Sequence, residues 1–339
     1  MNYNIIKRTL LHSIIMTVLC SYYIYACDEG YTYFDELPAN VTNLNNSNNC
    51  FSNDDISVLN DLISLNNLDN YNSSFELGIQ TWVTSRLVSF VATYVPPGGN
   101  GITQKITQLP DNIGQISELE SLFIEKHDLS GLPDSFTLLT NLVTLGISNN
   151  YLISLPEDFG NLTNLETLDL GYNQLESIPE SIGALTNLVY LFLFNNHLTS
   201  LPETICNLGL NWAGISASNY PYFASGGNYL CDCDLIPDCV ENSENANISM
   251  EQNYYSWLLN EPQDCSDTSE NCFCPNLGDV NCDGLINVLD IVTLATCVLT
   301  SACADLQCSC AADINGDGGW NVMDIVTLAN CILVSNCAS

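Results

Sequence analysis

The chain has 339 residues and sets 39 Asp and Glu against 5 Lys and Arg, for a formal net charge of −34 at pH 7. That balance excludes nucleic acid and anionic lipid as partners, and it calls for salt or divalent cations to screen the self-repulsion. Its 17 cysteines point to disulfides and an oxidising compartment.

Residues 1–26 place Lys7 and Arg8 ahead of an apolar run that ends on Ala26, the layout of a secretory signal peptide. Its removal predicts an extracellular or cell-surface chain beginning at Cys27, with no membrane span downstream. That chain has 17 − 1 = 16 cysteines and a net charge of 3 − 39 = −36. Two other readings stand beside this one. The apolar run could be retained as an anchor, or Cys27 could carry a lipid, which leaves an odd number of thiols.

Residues 27–86 are read as an N-terminal helical cap. In "SNDDISVLNDLISLN" Ser52 or Asn53 can cap a helix whose first turn holds Asp54 and Asp55. Ile56, Leu59, Leu62 and Ile63 then share one face. Cys27 and Cys50 flank the segment and are expected to bond to each other.

Residues 87–222 repeat. Leu109-Pro110, Leu132-Pro133, Leu155-Pro156, Ile178-Pro179 and Leu201-Pro202 recur every 23 residues. Within the units a frame L-x-x-L-x-L-x-x-N-x-L recurs, as in Leu165, Leu168, Leu170, Asn173 and Leu175, then Leu188, Leu191, Leu193, Asn196 and Leu198. These residues resemble the typical 23-residue leucine-rich repeat, which implies an α/β repeat solenoid with a short parallel sheet. The leucines of each short strand enter a core that one repeat cannot bury alone. The first repeat, with Leu87, Phe90 and Ala92, is stretched around "PPGGNG", His127 takes an asparagine position, and "NWAGISASNY", which keeps Asn219 but has lost the leucine frame, is read as the last copy and a transition into a cap.

In such repeats the variable strand positions line the concave face, here about 20 to 25 Å long for five strands. On it Phe123 and a cluster of Tyr172, Tyr190, Phe192 and Phe194 are candidates for binding a protein or glycan ligand, since rigid aromatics make good anchors. The competing reading is that the following segment folds over the cluster. That segment, residues 223–277, holds Cys231, Cys233, Cys239, Cys265 and Cys272 and is read as a disulfide-rich cap and linker closing the exposed end of the core.

Residues 278–339 contain "DVNCDGLINVLD" and, thirty-four residues later, "DINGDGGWNVMD". A calcium ion takes six or seven oxygens, and a 12-residue loop supplies them from positions 1, 3, 5, 7, 9 and 12 around a sharp glycine turn at the sixth position. The first loop offers Asp279, Asn281, Asp283, the Leu285 carbonyl, Asn287 and Asp290, with Gly284 at the turn. The second offers Asp313, Asn315, Asp317, the Gly319 carbonyl, Asn321 and Asp324, with Gly318 at the turn. Both close with Asp where an EF-hand has Glu, and each is followed by one helix-like run in which Ile291, Leu294, Ala295 and Val298 share a face.

Paired half-EF-hand loops of this kind resemble a type I dockerin domain. The resemblance implies a small all-α module folded by two Ca2+ ions that docks onto a cohesin-like domain of a scaffold or cell-surface protein. Positions 10 and 11 of each loop, Val288, Leu289, Val322 and Met323, are the expected partner contacts, and their apolar character predicts a hydrophobic interface. The alternative is a purely structural calcium clasp. Cys297 and Cys331 are equivalent, as are Cys303 and Cys337, so each helix end can carry its own staple; a zinc site at Cys308 and Cys310 is the other use of these thiols.

No nucleophile motif or phosphate loop is present. The segments left over after the repeats and loops number roughly fifty to sixty residues, too small for most catalytic domains. The expectation is a non-enzymatic, calcium-dependent interaction protein. Its alternatives are an accessory component of a polysaccharide-degrading complex and a surface adhesin.

Overall fold

The computed structural model describes residues 27–44, 48–96, 101–217, 220–231, 235–252, 255, 257–265, 277–281, 285–303, 306, 309–315 and 319–334. The signal segment, most of the PPGGNG turn, Asn219, Cys233, Cys272, Cys282, Asp283, Cys308, Asp317 and Cys337 lie outside the described residues. The chain divides into two compact units, Met1–Gly146 and Ile147–Ser339.

In the first unit, β1 (Tyr31–Tyr33) pairs antiparallel with β3 (Cys50–Ser52), and Cys27 is bonded to Cys50 as expected. The helix α1 covers Asn53–Leu65, with Ser52 as the N-cap accepting from the Asp55 N–H at 3.4 Å. Its buried face is Asp55, Val58, Leu59 and Leu62, turned slightly from the expected one, so Ile56 and Ile63 are only half-buried. The cap is mixed rather than helical. Strand β2 (Val41–Leu44) runs parallel to β4 (Ile79–Val83), and β4 turns antiparallel into β5 (Arg86–Val91). Phe34, Phe51, Phe75 and Trp82 pack edge-on and tilted against one another beneath it. From β5 the repeat pattern takes over: β6 (Ser121–Phe123) and β7 (Thr144–Gly146) add in parallel, with Leu87, Phe90 and Ala92 buried as the first repeat.

In the second unit, β8 (Thr167–Asp169), β9 (Tyr190–Phe192) and β10 (Phe223–Ala224) are parallel. The convex side is built of 3-10 turns such as Glu180–Ala184 and Glu203–Asn207, each starting after a proline, Pro179 or Pro202, in extended conformation. Adjacent turns approach so closely that a Cβ at Gly160 would lie 2.0 Å from the Ser181 carbonyl oxygen, which is why that repeat position is glycine.

The repeat asparagines form an internal ladder. Asn173 accepts from the Leu152 N–H and donates to the Ile147 and Leu170 carbonyls. Asn196 accepts from Leu175 and donates to Leu170 and Leu193. The rung after that is Asn228, which accepts from Leu198 and donates to Leu193 and Ser225. Here the expectation for the last repeat is corrected. Its strand is not in "NWAGISASNY" but at Phe223–Ala224, with Phe223 opposite Leu191, 32 residues on instead of 23. An Ile215–Pro221 bridge takes up the extra length.

The cap contains the single-turn helix α2 (Asp238–Glu241) and a hairpin of β11 (Ile248–Met250) and β12 (Leu258–Asn260). Disulfides Cys206–Cys239 and Cys231–Cys265 fasten it. Cys206, inside the repeats, was not among the cap cysteines expected from sequence.

Two helices, α3 (Val288–Thr300) and α4 (Val322–Val334), make up most of the final module. They share a core of Val280, Leu294, Cys297, Cys303, Ala312 and Leu328, with Ile291 and Val298 packed on it. Cys297 is bonded to Cys303, and Cys331 is also disulfide-bonded. Among the described residues, the second loop is preceded by a 3-10 turn, Ser309–Ala312.

Candidate functional site

The strands of the second unit set out the repeat face as rows. Pairing aligns Thr167 with Tyr190, and Asp169 with Phe192 and Ala224. In the next row Phe194 lies so close over Gly171 that a Cβ there would be 2.4 Å from its ring. The expectation that this aromatic cluster is an open patch is corrected by the cap. Phe194 is fully buried and Phe192 nearly so, in a cluster with Ala224 and Met250. The Tyr172 ring is edge-on to Phe194 at 5.5 Å, and the Tyr255 ring is edge-on to Phe194 at the same distance.

Hydrogen bonds hold the hairpin in place. The Tyr172 hydroxyl donates to the Met250 carbonyl at 2.6 Å, and burial pushes that phenol's pKa up. The Asn195 amide donates to Ser249 Oγ and to Glu261, both at 2.7 Å. Gly226 N–H donates to the Ile248 carbonyl at 2.8 Å. Large apolar rings at the end of a repeat stack are better covered than exposed, and the β11–β12 hairpin covers these.

Tyr190 is only partly covered and packs at the edge of this cluster. It is half-buried and stacks at 5.2 Å and 25° on Tyr222, its neighbour across the β9–β10 pair. Tyr222 was missed in the sequence because it lies past the last regular repeat. In the first unit, Phe123 is half-buried, with its ring over Gly146, where a Cβ would meet it at 2.5 Å. His197 is exposed beside the Tyr229 ring, 5.9 Å between centroids.

The two loops of the last module fold alike. The Asp290 carboxylate accepts from the Asn281 N–H at 3.1 Å and the Asn287 N–H at 2.8 Å. Asp324 accepts from Asn315 at 3.2 Å and Asn321 at 2.8 Å. Loop positions 3, 9 and 12 are thus drawn together in both copies. Asn287 also caps α3 in a capping box with Asp290, which explains a short Asp at position 12: it serves the helix start and the loop at once. The position-9 amide reaches the position-7 carbonyl, Asn287 to Leu285 at 3.2 Å and Asn321 to Gly319 at 2.8 Å.

Among the described residues each loop contributes two carboxylates, Asp279 with Asp290 and Asp313 with Asp324, alongside amide and carbonyl oxygens. This is a hard, all-oxygen donor set of the kind Ca2+ prefers. Asp290 and Asp324 are fully buried with no basic residue in either helix, and a buried carboxylate without a cationic partner is costly. The donor set fits calcium.

The docking candidates are exposed. Val288, Leu289, Val322 and Met323 all stand about 60% open to solvent. Sequence reading missed their continuation along the same helix faces, Val292 and Leu299 on α3, Val326 and Leu333 on α4, all exposed. Their spacing of four and seven residues was the available signal.

Family models match two stretches of the chain: leucine rich repeat over residues 140–198 and dockerin type I domain over residues 277–333. No curated protein sequence matches the chain. Among solved structures, a Leptospira interrogans leucine-rich repeat protein is similar at 29% identity and a TM-score of 0.33, over 42% of this chain and 39% of its own. The chain therefore spans about two fifths of that protein. The ectodomain of the receptor kinase SOBIR1 from Arabidopsis thaliana is similar at 21% identity and a TM-score of 0.40, over 55% of this chain and 96% of its own. A plant ice-binding protein is similar at 22% identity and a TM-score of 0.43, over 57% and 61%. Both matched modules are interaction modules from non-catalytic families, and type I dockerins bind calcium and dock onto cohesins. Residues 140–198 thus carry leucine-rich repeats, and residues 277–333 after them a type I dockerin domain.

Proposed function

We propose that this is a secreted adaptor: the dockerin domain, folded by two Ca2+ ions, fixes the chain to a cohesin-type domain of a scaffold or surface protein, while the repeats hold a second ligand. The observation that carries the docking half is the repeated exposed stripe on α3 and α4, Val288, Leu289, Val292 and Leu299 against Val322, Met323, Val326 and Leu333. An apolar stripe that the module's own core does not use is costly in water and favours a partner. Each stripe starts directly after a loop whose closing aspartate caps the helix, so metal at the loop steadies the docking surface. When bound, calcium supplies charge neutralisation and cross-linking of the loop. Asp279, Asn281, Asp283, the Leu285 carbonyl, Asn287 and Asp290 hold one ion, and Asp313, Asn315, Asp317, the Gly319 carbonyl, Asn321 and Asp324 the other.

Disulfides at Cys27–Cys50, Cys206–Cys239, Cys231–Cys265 and Cys297–Cys303 support an oxidising, extracellular setting, and among the described residues no helix is long and apolar enough to cross a membrane. The test is capture from a surface extract of the producing organism with calcium or with chelator. Retention of a cohesin-bearing protein only in calcium supports the proposal; capture indifferent to chelator removes it. An assay of the same preparation for glycan hydrolysis addresses the enzymatic alternative.

A further inference from the structure

The cap divides the repeat face of the second unit. The hairpin β11–β12 packs on Phe192 and Phe194, and the preceding row, which meets that cluster through Tyr190, keeps partly exposed side chains. In that row Glu166 is exposed and Thr167 half-buried, Val189 is 41% exposed, and Tyr190 and Tyr222 stand half-buried in a parallel stack. The row is held rigidly, because the N–H groups of Val189 and Tyr190 both donate to the Glu166 carbonyl, at 2.8 and 3.0 Å.

Two features choose the ligand. Residues 127–339 contain no Lys or Arg at all, so the net charge of this unit is strongly negative, which repels acidic partners and concentrates cationic ones. The tyrosines stack face to face, so each ring covers a face of the other and the pair offers no broad open platform to a sugar ring. Their hydroxyl edges and outer faces, beside a carboxylate, suit a guanidinium or ammonium group, which gains from the ring quadrupole and from ion pairing together.

We propose that the row Glu166, Thr167, Val189, Tyr190 and Tyr222 is the ligand contact of the repeat face and takes a basic peptide segment. An Arg or Lys side chain lies against the tyrosine pair with Glu166 as its counter-ion, and an apolar neighbour rests on Val189. This deepens, and rests on, the reading of the repeats as a binding surface.

The test uses the full mature chain in calcium, with three probes followed by calorimetry at physiological salt: a short peptide alternating Arg and Leu, a polylysine of equal charge, and a neutral cello-oligosaccharide. The Arg/Leu peptide is expected to bind, and Tyr222→Ala and Glu166→Gln are each expected to weaken it about tenfold. Glu166 is exposed, so its variant keeps the fold; polylysine should respond less to either change. Peptide binding untouched by both variants is diffuse charge attraction and overturns the proposal. Oligosaccharide binding lost in Tyr222→Ala overturns the basic-peptide assignment while keeping the repeats as a binding surface. Failure of all three probes overturns the proposal and leaves calcium-dependent docking, read separately on α3 and α4, unaffected.

Discussion

The Arg86 guanidinium grips the Asp55 carboxylate with two hydrogen bonds of 2.9 Å, Nε to Oδ2 and Nη2 to Oδ1, joining α1 to the first repeat strand. Asp55 is fully buried and also accepts from the Leu87 N–H at 2.8 Å. Arg86 is partly exposed while Asp55 is not, so it is the loss of Arg86 that strands a buried charge: Arg86→Ala should cost about 3–5 kcal/mol of stability, measured by chemical denaturation. Arg86→Lys keeps the charge but loses the planar fork and should cost less. Equal losses for the two variants would show that the charge without the fork contributes nothing.

Phe194 is a structural residue. Buried against Tyr172, Tyr255 and Met250, its replacement by Ala should lower stability by about 3–5 kcal/mol. The same change at a half-buried ring removes less apolar surface from the interior and should cost less. Thermal unfolding of Phe194→Ala, beside Tyr222→Ala as the less buried comparison, separates the two roles.

His127 gives the first unit a pH dependence. Its Nδ1 accepts from the Ile106 N–H at 3.0 Å and its Nε2 donates to the Ala92 carbonyl, so the ring must stay neutral. Burial is the main cause that lowers its pKa from 6.5 to about 4. The unfolded chain therefore binds the proton more readily between those values. This contribution to stability is intact above about pH 6.5 and is lost progressively toward pH 4, on the order of 3 kcal/mol in all. His127→Asn places the usual ladder residue there and should flatten that part of the stability curve. A variant curve parallel to the parent's between these pH values would refute the assignment.

Each calcium loop should act as a separate site. Asp290→Ala is expected to remove one ion and to fray the start of α3, whose capping box it completes; loss of such a cap costs about 0.5–2 kcal/mol. Asp324→Ala should remove the other. Titration calorimetry should count two ions in the parent, one in either single variant and none in the double. An unchanged count in either single variant would exclude its aspartate from the metal shell.

Periodicity carried the repeats, because a 23-residue spacing of leucine and asparagine is a local pattern that each unit states for itself. The dockerin loops were legible for the same reason: calcium needs oxygens at fixed intervals within twelve residues, and the helix after each loop shows its own apolar face. Tyr222 and Asn228 were not legible, since the insertion before β10 breaks the spacing that located every earlier strand. Asp55 read as a first-turn charge, and only its meeting with Arg86, 31 residues away, makes it a buried carboxylate held by a partly exposed guanidinium.

The aromatic cluster shows where the division lies. Sequence alone determined that Tyr190, Phe192 and Phe194 share one face, because alternation along a strand follows from backbone geometry; Tyr172, in register with Asn195, reaches Phe194 from a left-handed turn at φ 53°. Which of them meet solvent was decided by the tertiary structure. The hairpin at Ile248–Met250 and Leu258–Asn260 lies more than fifty residues further along the chain, and no local pattern encodes where it lands. Burying two phenylalanines there removes more apolar surface from water than leaving the face open, so Phe192 and Phe194 became core while Glu166 and Val189 stayed exposed.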